Sequence, residues 1–201
     1  MKSMLVAGVI VMGGALFLAG CAKQPAEQKQ APPDLAMQSP HNTPESGPAV
    51  AGIRWSIPEG WTEQGPRQMR MATYSTPAAS GDPEGGECAV FFFGSGQGGT
   101  VDQNVDRWIG QFENPTGESR SSKEVNGLTV TTVKVKGTYV GMVAPMMQQQ
   151  QGAKKPNYSL LGAIVLAPEG PVFFKLTGPS STISQSESKF NVLPRLAAKI
   201  S

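Results

Sequence analysis

Histidine and cysteine are almost absent from this 201-residue chain, which contains one histidine and two cysteines. The histidine, His41, lies in a proline-rich stretch that precedes the predicted folded region. Ser-His-Asp and Cys-His catalytic devices need a positioned imidazole, and zinc sites are built mainly from histidine and cysteine side chains. The sequence therefore excludes both kinds of site from the folded region. Cys88 has no second cysteine there to pair with, and we predict that it is a small buried strand residue.

A concentration of positive charge is also missing. The 17 lysines and arginines are interspersed with 15 acidic residues along the chain. Nucleic-acid binding requires a concentrated basic face that neutralises phosphates. We therefore expect no nucleic-acid partner.

The first twenty residues look like an export signal. Lys2 supplies a positive start, and residues 5–18 are apolar or small without a single charge. A run of this length is typical of a signal peptide and is short for a membrane span, which needs about 20 apolar residues. The signal ends in Leu18-Ala19-Gly20-Cys21, which resembles the lipobox of bacterial lipoproteins.

That resemblance implies a lipid anchor on Cys21. In lipoproteins the signal is removed just before the cysteine, whose thiol takes a diacylglyceryl group, and two or three acyl chains make the attachment effectively permanent. Ala22 and Lys23 follow the cysteine, where inner-membrane lipoproteins often have aspartate. The resemblance therefore implies the outer membrane, with the chain facing the periplasm.

Residues 21–52 form a predicted tether between the anchor and a single domain. They are rich in glutamine, proline, alanine and serine and contain few large apolar side chains. Such a segment buries too little surface to offset its ordering entropy, so we predict that it is disordered. Residues 53–201 have the size of one ordinary domain.

The pattern within residues 53–201 predicts an α+β fold. Val101, Val105 and Trp108 recur at helical spacing in a stripe that continues to Phe112, and Pro115 would end the helix. Strands are expected on both sides of this helix, and a last helix is expected to begin near Ser184. The expected strands cover residues 53–57, 68–76, 88–93, 128–135 with an extension over 138–140, 160–166 and 172–177. We predict an antiparallel sheet of six to seven strands with two main helices packed on it.

Three short motifs carry a resemblance to a known fold. Pro58-Glu59-Gly60-Trp61, residues 104–112 and residues 174–179, together with the terminal helix, resemble the PsbP/Mog1-like α/β/α sandwich of secreted and lipid-anchored bacterial proteins. Named members of that fold mostly bind and stabilise other proteins. The resemblance therefore implies a binding role.

Four residues are candidates for partner binding. Arg107 and Gln111 share one row of the predicted helix, and Lys175 shares a strand face with Phe173. These groups would frame a recognition groove, or they would form an ordinary solvated face with an ion pair. Trp61 would anchor a partner or pack in the core.

Two further motifs allow other chemistry. Residues 94–99 match G-x-G-x-x-G between a strand and a helix, but no suitably placed acid completes a dinucleotide unit. We interpret them as a flexible connection and expect no nucleotide and no cofactor. Asp82, Glu84 and Glu87 lack the pattern of a calcium loop, and we expect no metal there.

We therefore predict a non-catalytic binding or assembly module that engages an envelope partner at the periplasmic face of the membrane. One alternative is a carboxylate-dependent hydrolase of envelope polymers that uses the acidic loop around Asp82. Another is a carrier that holds a small apolar ligand between sheet and helix.

Overall fold

A computed structural model describes residues 47–141, 154–195 and 198–199. The predicted signal peptide, Cys21, His41 and most of the predicted tether lie outside the described residues. The expectations for these parts therefore stay predictions.

The described residues form ten strands and three helices. In chain order these are β1 (Ala49–Val50), β2 (Ile53–Arg54), β3 (Thr62–Glu63), β4 (Ala72–Ser75), β5 (Glu87–Phe92), α1 (Val101–Ile109), β6 (Phe112–Val125), β7 (Leu128–Tyr139), β8 (Lys155–Ala167), β9 (Gly170–Pro179), α2 (Ser180–Phe190), α3 (Val192–Arg195) and β10 (Ala198–Lys199).

Seven strands form one antiparallel sheet in the order β3-β4-β5-β9-β8-β7-β6. A second, small sheet has the order β1-β2-β10. The predicted α+β class, with an antiparallel sheet and two main helices, is confirmed. The predicted hairpin of two apolar strands is β8 and β9, which pair from Tyr158↔Pro179 to Ala167↔Gly170.

The two faces of the sheet are covered by different helices. On one face α1 packs on β6, β7 and β8, and Trp108 lies over Gly162 and against Phe173. On the other face α2 packs on β8 and β9, and its Ile183 and Phe190 belong to the larger core cluster. Side chains alternate between these two cores along β7, β8 and β9, as the period of two in a strand requires.

Strand β6 corrects the predicted end of the first helix. The helix stops at Ile109 with Gly110 as its C-cap, and Phe112 already belongs to β6. Most side chains of β6 are exposed, so the strand lacks the alternation that marks a half-buried strand in a sequence. The predicted extension of the 128–135 strand over residues 138–140 is confirmed as far as Tyr139, where β7 ends.

Two other boundaries differ from the sequence prediction. Helix α2 begins at Ser180, not near Ser184. β1 and the turn into β2 lie within the segment that we assigned to the tether, and Ala51 is buried. The ordered region therefore extends N-terminally beyond Ile53. None of the helices in the described ranges has the length and apolar character that crossing a membrane requires.

Candidate functional site

The glycine-rich segment before α1 is explained by backbone geometry. Gly94, Gly96, Gly98 and Gly99 all have positive φ angles, from 69° to 98°, a region that favours glycine. The segment leads from β5 to β6, and three other strands of the sheet lie between these two. A dinucleotide-binding unit joins strands of a parallel sheet. The glycines therefore supply the positive φ angles that this turn adopts.

Helix α1 begins as its sequence predicts. Thr100 Oγ1 accepts a hydrogen bond from Gln103 N at 3.1 Å, and Gln103 Oε1 accepts one from Thr100 N at 2.9 Å. This reciprocal capping box satisfies two of the free N–H groups at the helix start. Asn104 Nδ2 donates to the carbonyl of Gly98 and so fixes the turn to the helix.

The three carboxylates of the acidic loop have separate partners. Asp82 Oδ2 accepts hydrogen bonds from the backbone N and the Oγ1 of Thr182, at 2.8 and 2.7 Å, and thereby caps the start of α2. Glu84 pairs with Lys155, whereas Glu87 pairs with two arginines. Within the described residues, no three His, Cys, Asp or Glu side chains are grouped closely enough to hold a metal ion.

Gln111 and Lys175 meet on the α1 face of the sheet, although 64 positions separate them. Lys175 Nζ lies 2.5 Å from Gln111 Oε1 and 3.5 Å from the hydroxyl of Tyr139. Gln111 is only 3% exposed, and its backbone carbonyl accepts a hydrogen bond from Val140. The short connection between α1 and β6 therefore fixes Gln111 against the end of β7.

The ammonium of Lys175 lies in a poorly solvated environment. Burial above all, and the positive charge of Arg70 in addition, lower the pKa of Lys175 from 10.5 to about 8, and the negative charge of Glu87 opposes this shift. Burial also raises the pKa of Tyr139, whose ring lies 5.6 Å from Lys175 Nζ. The structure thus places a desolvated amine beside a neutral hydroxyl and a neutral amide.

Two arginines beside β4 lie across β5 from the strand that carries Lys175. Arg67 and Arg70 each donate to a different oxygen of Glu87, at 2.9 and 2.8 Å. Arg70 also lies over the ring of Phe91, 5.9 Å from its centroid. Arg70 is the more buried of the two arginines, with 24% of its side chain exposed against 49% for Arg67.

A pair of tyrosines borders the cluster on the other side. The rings of Tyr139 and Tyr158 stack with centroids 6.1 Å apart, and Lys155 lies over the ring of Tyr158. Glu84 accepts hydrogen bonds from Lys155, at 2.7 Å, and from the hydroxyl of Tyr158, and these bonds lower the pKa of the carboxylate.

Large apolar side chains are exposed beside the arginines. Met69, Met71 and Phe93 are 74%, 50% and 39% exposed. Helix α1 packs on β6, β7 and β8, and its Trp108 reaches Phe173 of β9. Within the described residues, no helix packs closely on the same face of β4 and β5. Methionine, aromatic residues and arginine are the residue types enriched in protein interfaces. We name this surface the open face and define it by Arg67, Met69, Arg70, Met71, Glu87, Phe93 and Lys175.

The structure brings only two of the four candidate residues for partner binding into contact. Gln111 and Lys175 are in contact, whereas Arg107 is exposed on α1 and makes no hydrogen bond to them among the described residues. Trp61 is 7% exposed and packs in the larger core, so it is not an accessible anchor in this structure.

Arg70 and Tyr139 were not among the predicted site residues, and Glu87 was considered only as part of the acidic loop around Asp82. The alternation in β5 would have placed Glu87 on the face of Ala89 and Phe91, but the pairing of β5 with β9 was needed to bring it near Lys175. Cys88 is fully buried in the core, as predicted.

A groove of about 230 Å³ lies on the opposite face, between α2 and strands β6 and β7. Val130, Leu161 and Phe190 line its apolar part. Its other lining residues are mostly polar or charged and include Ser121, Lys123, Thr132, Lys134, Glu187 and Asn191.

Comparison with known proteins gives similarity of fold alone. No protein-family model and no curated protein matches the chain. Among solved structures, the chain is similar to the solution structure of cyanobacterial PsbP (CyanoP) from Synechocystis, with 9% identity and a TM-score of 0.48 over 75% of this chain and 88% of that one. It is also similar to a protein of unknown function from Pseudomonas aeruginosa, with 11% identity and a TM-score of 0.42 over 67% of this chain and 83% of that one.

Proposed function

We propose that this chain is a non-catalytic binding module that engages a protein partner through the open face. The observation that carries the proposal is the juxtaposition, on and beside β4, β5 and β9, of a half-buried lysine, two arginines and three exposed apolar side chains. Exposed apolar groups beside arginines are typical of interaction surfaces, because their burial contributes most of the binding free energy.

We further propose that the module is exported and held on a membrane by lipid on Cys21, on the periplasmic side of the outer membrane. The apolar run before Leu18-Ala19-Gly20-Cys21 supports this placement. Replacing Cys21 by Ser removes the only thiol that would form the thioether at this site. We expect the Cys21→Ser protein to leave the membrane fraction, and retention of both processing and membrane attachment would contradict the anchor.

The described residues do not favour either alternative function. The hydrolase needs two carboxylates that face one substrate, but Asp82 is bound to the start of α2 and Glu84 to Lys155. The carrier needs an apolar space between a helix and the sheet. Under α1, a Cβ on Gly162 would lie only 2.2 Å from the indole of Trp108, so that interface is filled. The groove between α2 and the sheet has charged side chains such as Lys134 and Glu187 in its lining, and these suit an apolar ligand poorly.

The test is site-specific photo-crosslinking in the cells that produce the full chain. A photoreactive amino acid replaces Met71 on the open face or, as a control, Val192, which is 39% exposed on α3. We expect a discrete protein adduct from position 71 and none from position 192. Equal adducts from both positions, or no adduct from position 71, would contradict the proposal.

A further inference from the structure

The ion pairs of the open face leave one positive charge without a carboxylate. Glu87 is shared by Arg67 and Arg70. Within the described residues no carboxylate lies within ion-pair distance of Lys175, whose ammonium contacts only the neutral oxygens of Gln111 and Tyr139. Three cations therefore face one acid on this surface.

The environment of Lys175 differs from that of an ordinary surface lysine. Its neighbour Gln111 is 3% exposed, so the ammonium is shielded by protein and keeps only part of its hydration. A half-buried charge is unfavourable unless an opposite charge is close. An ammonium also has three N–H donors, and two of them have acceptors here, so one remains for a ligand.

Apolar side chains continue along the strand face that carries Lys175. The next residue of β9 on that face is Phe173, which pairs with Phe91 of β5, and Phe93 stacks on Phe91 with ring centroids 6.0 Å apart. Met71 and Phe93 are exposed at this end of the surface. A ligand that pairs with Lys175 and extends along β5 towards Phe93 would cover these side chains too, so its charged group would be followed by apolar groups.

We infer that the open face binds a segment of its protein partner in which an aspartate or glutamate is flanked by apolar side chains, and that this carboxylate pairs with Lys175. The inference rests on the proposed function and adds the chemistry of the partner. Arg67 and Arg70, which already share one acid, contribute a favourable potential around the bound carboxylate.

A protein side chain fits this surface better than a lipid headgroup. Lys175 is half-buried, whereas nearly half of the Arg67 side chain and most of Met69 are exposed. A planar layer of headgroups would contact the exposed groups first and reach the recessed amine last. A single carboxylate on a flexible side chain reaches the amine directly.

The experiment adds a charge test to the Met71 crosslink. In the full chain, Lys175→Met removes the charge while keeping a long unbranched side chain. We expect at least a tenfold loss of the position-71 adduct, because the loss of a hydrogen bond to a charged group changes affinity by about that factor. We expect the melting temperature of the variant to rise, because the unneutralised charge is gone. A merely structural role of Lys175 would change both quantities in the same direction.

A second measurement needs no variant. Carbodiimide treatment of the complex joins a carboxylate to an amine as an amide, and the reagent takes up the water that is released. Mass spectrometry should find Lys175 joined to an aspartate or glutamate of the partner. Lys189, an exposed lysine on α2, is the matched control and should show no amide bond to that partner.

The outcomes separate the two proposals. An unchanged position-71 adduct in Lys175→Met, or a partner amide on Lys189 and none on Lys175, overturns the acidic-segment inference while the binding face stands. A position-71 adduct with a phospholipid instead of a peptide overturns it in favour of the membrane surface. Absence of any adduct at position 71 in the otherwise unsubstituted chain overturns the proposed function itself.

Discussion

Replacing Lys175 by methionine should stabilise the fold at neutral pH and lose this advantage as the pH rises. The pKa of Lys175 is lowered from 10.5 to about 8 in the folded chain, chiefly by burial. Below pH 8 the amine is protonated in both states, and the folded state bears the full penalty. Between pH 8 and 10.5 the folded state loses its proton first, so the stability of the unsubstituted protein rises with pH in that window.

The magnitude follows from the size of the shift. At about 1.4 kcal/mol per pKa unit, the penalty at pH 7 is on the order of 3 kcal/mol, and we take about 2 because part of the side chain still reaches solvent. Methionine also loses the hydrogen bond to Gln111, and this loss offsets part of the gain at pH 7. The difference in stability between the two proteins should therefore change by about 2 kcal/mol from pH 7 to pH 10, whatever its value at pH 7.

Urea unfolding of both proteins at several pH values from 7 to 10 measures this change. Groups that titrate alike in both proteins cancel in the difference. Tyr139, which is 3.5 Å from Lys175, keeps its proton over most of this range, because burial raises its pKa. Lys189→Met, at an exposed lysine of α2, is the control, and its stability difference from wild type should not change in this way between pH 7 and 10. A stability difference between wild type and Lys175→Met that is constant from pH 7 to 10 would show that the amine is well solvated, and the reasoning would fail.

Three further predictions concern the frame that positions the open face. Gly162→Ala should destabilise the fold by about 1–3 kcal/mol, because the new Cβ would lie 2.2 Å from the indole of Trp108. Urea unfolding measures this loss. Gly65→Ala is the control, because its new Cβ would meet no atom within 4 Å. Asp82→Ala should lower the unfolding free energy by about 1–2 kcal/mol, because α2 loses its cap; no loss in the same assay would contradict that role. Thr100→Ala should lower it by about 1 kcal/mol through loss of the α1 N-cap, and an unchanged denaturation midpoint would contradict the capping box.

Features of the fold that depend on neighbouring residues in the chain were predictable. Helix α1 has its apolar stripe and its capping residues within nine positions of one another, and the β8–β9 hairpin has two apolar runs joined by a short turn. These patterns act locally, so their meaning does not depend on the rest of the molecule.

Features that depend on distant partners were not predictable. Strand β6 is polar along most of its length and is a strand because β7 supplies its hydrogen-bonding partners. Helix α2 starts four residues before its expected cap, because its cap is the side chain of Asp82, 100 positions away. No local pattern encodes either arrangement.

The candidate site divides in the same way. The alternation of β9 correctly separated Lys175 from its neighbours Phe174 and Leu176, which face the larger core. Arg70 and Glu87 come near Lys175 because β4, β5 and β9 are neighbours in the sheet. Tyr139 comes near Lys175 because β7 pairs with β8, which pairs with β9. Sequence reasoning therefore found the amine but not the charges around it.

The charge arrangement on the open face is itself an argument for binding. A fold selected for stability alone would place an apolar side chain at position 175, since its neighbour on the same strand face is the buried Phe173. It would also leave Met69, Met71 and Phe93 covered or polar, because exposed apolar groups promote association. Both departures occur on or beside the neighbouring strands β4, β5 and β9, where a single ligand would correct them together. Unfavourable local features that one bound ligand would relieve together are expected at functional surfaces.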